Sequence, residues 1–196
     1  YGFKFGDSSR RDLRNRDNYI CDWHWPCSSD ESGRCRSLEC LNLPYKRTTA
    51  REKLDRPHNL PEVKPAPEIW GGGTMVIPHP MQVRELMDSI PEGQVATLDE
   101  VRSSLAGKNS ADIACPMTSG IFMSIVAQAS HEDKEEQGSF SVAYWRSLKR
   151  NGELNPKFPE GIEGQAQRLE AEGHSIIYRG KKAFVEDFEK YLFKSL

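Results

Sequence analysis

The chain has 196 residues, with 27 Lys+Arg against 29 Asp+Glu and a formal net charge of -2. That balance excludes a broadly basic nucleic-acid binder, so any affinity for phosphates must come from a local patch. No apolar run approaches the roughly 20 residues that span a bilayer, which excludes a transmembrane role; no charged-then-apolar leader follows Tyr1, and a cytoplasmic location is expected.

In chain order, residues 1–56 read as an irregular, cysteine-containing tail. Arg10 to Asn18 is polar and charged, without helical or alternating periodicity, and buries too little apolar surface to offset its ordering entropy. Cys21, Cys27, Cys35 and Cys40 fall here beside His24. A zinc knot or a disulfide pair would use them, but their spacing lacks the paired C-x2-C hooks of zinc sites, and a tail with unpaired thiols is expected. Residues 57–80 read as a Pro/Gly-rich linker. Gly71-Gly72-Gly73 lacks the Gly-Lys-Ser/Thr that completes a phosphate loop, and instead suits a turn delivering Met75-Val76-Ile77 as a short strand.

The folded domain is expected over residues 81–196. Val83, Leu86, Met87 and Ile90 make one helical stripe. Thr97 with Glu100 forms a capping-box pattern for a helix from Leu98 to about Leu105. Pro116, with Cys115 at the cap, opens a longer helix whose buried face would be Ile121, Phe122, Ile125, Val126 and Ala129. His131 to Gly138 reads as a charged helix end and loop. Val142 to Leu148 reads as a strand, and Asn151-Gly152 as a hairpin turn. A helix from Ile162 to Ala171 stops at Gly173, followed by a hairpin around Arg179-Gly180-Lys181 and a helix through Phe188, Tyr191 and Leu192.

The fold class that follows is α+β: a winged helix-turn-helix of three helices plus a small β-wing, with an extra C-terminal hairpin and helix. In that architecture the last helix of the trio lies in a DNA groove. Thr118, Ser119 and Gly120 are small enough for close approach to a duplex. Arg146, Lys149, Arg150 and Lys157 make a local positive cluster for phosphates, though a solvated hairpin surface would look the same.

Ala143-Tyr144-Trp145-Arg146, the downstream Leu169-Glu170-Ala171-Glu172-Gly173, and Ile90-Pro91-Glu92-Gly93-Gln94-Val95-Ala96-Thr97 together resemble the O6-alkylguanine-DNA alkyltransferase family over roughly residues 81–178. The matching family patterns are Pro-Cys-His-Arg, Leu-x-x-Glu-Gly and Val-Pro-x-Gly-x-Val-x-Thr. The resemblance places Tyr144 where the family has its nucleophilic cysteine and Trp145 where it has histidine, while Arg146 and the relay glutamate, Glu172, remain. Alkyl transfer needs an activated thiolate. A phenol with a reference pKa near 10 does not supply one. The resemblance therefore implies a protein of the alkyltransferase-like type, in which a tryptophan replaces the cysteine. Such a protein binds double-stranded, alkylated DNA and presents the lesion to an excision-repair partner, with no catalytic residue, metal or cofactor.

Leu98 stands where the family has a tyrosine, and no arginine finger occurs near Cys115–Gly120. Backbone contacts to a duplex survive these losses. Tyr144 or Trp145 could stack on a flipped purine, although strand alternation would put one of them in the core. Two other readings stay open. Cys115, at a helix start, could serve a thiol enzyme; or the scaffold could be a protein-interaction adaptor that has lost DNA.

Overall fold

The computed structural model describes residues 48–194, so Cys21, Cys27, Cys35 and Cys40 lie outside the described residues. The described chain opens not with an irregular tail but with a short helix, α1 (Ala50–Asp55). Thr49 and Glu52 exchange a capping box, and Ala50 and Leu54 are buried. The helix sits against the long helix α4 (Pro116–Gln137). Glu132 of α4 accepts the N–H groups of Ala50 and Arg51 at 2.8 and 3.0 Å. Arg51 in turn pairs with Asp133 and, at 2.8 Å, with Glu136. A carboxylate at the positive end of a helix satisfies otherwise orphaned donors. The acidic run expected to be a helix end and loop is therefore helical through Gln137, closed by Gly138 at φ 81°.

The expected linker is a sheet. Strand β1 (Glu62–Pro65) pairs antiparallel with β2 (Thr74–Ile77), and β2 pairs in parallel with β4 (Ile113–Ala114). Gly71, Gly72 and Gly73 all have positive φ in the connecting turn, which only glycine adopts at low cost. At Gly73 a Cβ would also lie 2.5 Å from Asp112 Oδ2. That carboxylate accepts the N–H and hydroxyl of Thr74, which lowers its pKa and closes the sheet's end.

Helix α2 (Pro80–Asp88) buries Val83, Leu86 and Met87 as its stripe demands. After β3 (Ala96–Thr97), helix α3 (Leu98–Lys108) carries the expected capping box at Thr97 and Glu100. On α4 the buried face is Ser119, Met123, Val126, Ala127, Ala129, Ser130 and Asp133: of the expected stripe Val126 and Ala129 are buried and Phe122 and Ile125 pack partly against the core, but Ile121 is 53% exposed. Contacts from α1, α2 and the Val142 segment rotate the face inward, with Ser130 Oγ bonded to both backbone groups of Val142.

The strand expected over Val142–Leu148 is mostly a turn. Tyr144–Arg146 forms one 3-10 turn, and only β5 (Ser147–Leu148) is extended, pairing in parallel with β3. A strand would send Tyr144 and Trp145 to opposite faces; the tighter turn brings their rings edge-to-face, 5.5 Å apart. Asn151 and Gly152 do adopt the paired left-handed conformation of an Asn-Gly turn, at φ 58° and 72°. With β5 engaged by β3, no hairpin wing forms there. Helix α5 (Gly161–Ala171) and the hairpin β6 (Ile176–Arg179) with β7 (Lys182–Val185) follow as expected. The expected C-terminal helix is a single 3-10 turn, Phe188–Tyr191.

These elements define an α+β fold with two apolar clusters. One joins Val76, Leu86, Met87, Leu105, Val126 and Tyr144; the other joins Val95, Leu148, Leu154, Leu169 and Val185. Trp145 packs against both.

Candidate nucleic-acid interface

The segment carrying the family resemblance is a buried brace. Tyr144 is 0% exposed, ringed edge-to-face by Phe140, Trp145 and Phe158, and its hydroxyl has no partner among the described residues. Burial pushes its pKa upward, Glu160 adds to this, and Arg168 opposes both. Trp145 Nε1 donates to Glu172 at 2.7 Å. Arg146 donates to the same carboxylate through Nε and Nη2 at 2.9–3.0 Å, and through Nη1 to the Ile90 carbonyl at 2.9 Å. Glu172 also accepts Gly93 N–H. Burial would raise the carboxyl pKa, but the bonds from Arg146, Trp145 and Gly93 together outweigh it and hold the group below its usual value. Nearby His174 is 4% exposed, and neither ring nitrogen has a partner among the described residues. Burial lowers its pKa, with Arg146 adding to that and Glu172 opposing it.

Tyr144 as arranged therefore presents no face to a base, and Arg146 no free charge to a phosphate. Ser119, expected at a duplex surface, is likewise 0% exposed with its hydroxyl unpartnered among the described residues. The helix start turns that position toward the core.

What faces outward is a groove of about 520 Å³ along the N-terminal half of α4. Met117, Gly120, Ile121 and Ile125 of α4 contribute to one wall and Leu98, Leu148 and Lys149 to another, with Asn155 and Lys157 also in the lining. Met117 and Ile121 are 65% and 53% exposed. Lys149 pairs with Glu153 at 2.5 Å, whose carboxyl pKa is lowered chiefly by that bond; Lys157 has no ion-pair partner among the described residues. Arg150 is spent on Asp99 at the start of α3, at 3.0 Å. Thr118 is half-buried and its hydroxyl reaches the Cys115 carbonyl at 3.5 Å.

Groove and brace share a strut, the fully buried Gln165. It accepts Asn155 N–H at 2.7 Å and donates to the carbonyls of Trp145 and Ser147 at 2.9 and 3.0 Å. Met117, Ile121 and Asn155 line the groove, and Gln165 supports it from behind, without a sequence motif to mark them. The available signal was the i, i+4 pair Met117 and Ile121, lying off the stripe that continues through Val126.

Cys115 caps α4 but is 6% exposed and does not line the groove. Burial, the largest influence, raises its thiol pKa; the Thr118 side chain, the Thr118 and Met117 N–H groups and Lys64 outweigh it, leaving a net lowering. Among the described residues no His/Cys/Asp/Glu cluster could hold a metal, and no helix is long and apolar enough to cross a membrane.

In class, then, this is an α+β protein with an open apolar groove beside a long helix and a braced aromatic turn behind it. No family model matches the chain, and no curated protein matches it. Among solved structures it is similar to S. pombe Atl1 in complex with damaged DNA containing O6-carboxymethylguanine, at 22% identity and a TM-score of 0.42, covering 59% of this chain and 94% of that one. It is also similar to S. pombe ATL in complex with DNA, at 20% identity and a TM-score of 0.43, with the same coverage.

Proposed function

We propose that this chain is a non-catalytic DNA-binding protein of the alkyltransferase-like type, recognising alkylated guanine and handing the site to excision repair. The observation that carries the reading is the groove: a concave, mostly apolar space at the exposed start of a long helix, with lysines among its lining. Its size falls within the range of about 300–1,000 Å³ typical of ligand sites. The N-terminal half of α4 approaches the duplex, and an unstacked base enters the groove, where the exposed Met117 and Ile121 replace its stacking neighbours. Lys157, which has no ion-pair partner among the described residues, meets phosphates, supplying the sequence-independent attraction. Gly120 lets the backbone come close.

Tyr144, Trp145, Arg146 and Glu172 act behind the groove rather than in it. They hold β5 and, through Gln165, the Asn155 wall in place. The buried phenol stays protonated at neutral pH and offers no nucleophile, which is why the reading is non-catalytic.

Titration of matched duplexes, with and without O6-methylguanine, at two salt concentrations tests this. Binding that weakens with salt and is tighter for the lesion duplex is the expected result. Equal affinity for both duplexes would remove lesion recognition and leave general DNA binding; no salt-dependent binding to either would end the proposal.

A further inference from the structure

A second cleft, of about 480 Å³, lies between the β6–β7 hairpin, the Asn151 turn and the Phe188 turn. Its apolar lining comes from Ile177 and Phe184, which face each other in register, and from Phe188. Phe188 covers Gly152 so closely that a Cβ there would lie 2.6 Å from the ring. Carboxylates border this surface. Asp187 is engaged by Lys190 at 2.5 Å, whereas Glu186 and Glu189 are exposed and have no ion pair among the described residues. Above the floor, the Arg179 guanidinium sits 5.5 Å from the Phe184 centroid.

The chain's own Arg179 demonstrates the chemistry the cleft accepts. An aromatic face attracts a cation. Glu186, Asp187 and Glu189 outnumber the cations beside them, Arg179 and Lys190, and the excess negative charge steers further positive charge toward the same place. Those carboxylates repel phosphate, so the cleft does not suit DNA. Apolar side chains flanking the cation would fill the space over Ile177 and Phe188.

We propose that this cleft docks an extended segment of a partner protein bearing lysine or arginine next to apolar residues. The inference stands on the cleft alone and does not depend on DNA recognition.

A short fluorescein-labelled peptide of alternating lysine and leucine, and its counterpart with glutamate for lysine, would be titrated against the full chain by anisotropy. The lysine peptide should bind saturably and more weakly in salt, and the glutamate peptide should not. Amide shifts should concentrate at Ile177, Phe184 and Glu186–Glu189. The double variant Glu186→Lys, Glu189→Lys changes exposed side chains, so its melting midpoint should be retained while peptide affinity drops about tenfold. Unchanged affinity in that variant, equal binding of the glutamate peptide, shifts confined to Met117–Ile125, or no saturable binding would each overturn the proposal. Duplex affinity, measured in parallel, separates its failure from that of the DNA reading.

Discussion

At the Tyr144–Arg146 brace, polar side chains are drawn inside and matched: Trp145, Arg146 and the Gly93 amide converge on Glu172. Along the α4 groove the opposite holds, with Met117 and Ile121 turned to solvent although an apolar residue gains by burial. The buried turn thus serves rigidity, while the open groove exposes Met117 and Ile121, which belong to no motif. A position's chemistry follows from where the backbone sends the side chain, and here the Arg146–Glu172 pair acts as a structural tie.

The largest expected separation of the two regions comes from Glu172→Ala. It strands Arg146, whose side chain is 15% exposed, without its charge partner. Removing one member of such a pair should cost about 3 kcal/mol, read by urea unfolding. The same measurement has a pH signature. Glu172 is depressed on folding, so its stabilisation is present above the unfolded value near 4.5 and is lost as pH falls through the lower folded value. His174 is also depressed, so stability should begin to decline below its unfolded value of 6.5, where the unfolded chain binds the extra proton. In Glu172→Ala the lower of these two acid limbs should vanish; persistence of both would mean that Glu172 is not the anchor.

Ile121→Glu probes the groove from the other side. The residue is exposed, so stability should change by no more than about 0.5 kcal/mol. A carboxylate facing phosphates should nevertheless weaken duplex binding about tenfold, or about 1.4 kcal/mol. Undiminished binding would move the DNA contact away from α4.

The smallest effect is expected of Tyr144→Phe. Its hydroxyl is buried, and among the described residues only the Arg168 side chain is near enough to act on it, so removal should be close to neutral, within about 1 kcal/mol. Lesion discrimination should be unchanged; its loss would return the phenol to the binding surface and erase the contrast.

Local signals were legible in the sequence where local forces decide. The Thr97–Glu100 capping box, the α2 stripe, the Gly173 stop and the β6–β7 turn all act within a few residues. Helix α1 was missed although Thr49 and Glu52 make the same box, because its anchor, Glu132, lies 82 positions beyond Ala50. The Tyr144–Arg146 turn reads as a strand because β-branched and aromatic neighbours suggest extension; the two-sided packing of Trp145 overrides that preference. The groove was hidden for a related reason. Ile121 reads as core until α1 and α2 claim a different side of α4.

The Glu132 clasp on α1 also fixes where a trimmed version of this protein can begin. Starting it at Pro57 would discard the lid formed by Ala50 and Leu54, bare an oily seam on α4 and leave three acidic side chains, Glu132, Asp133 and Glu136, without Arg51 or the amides they hold. Such a shortened polypeptide should clump at concentrations where one starting at Thr48 stays dispersed.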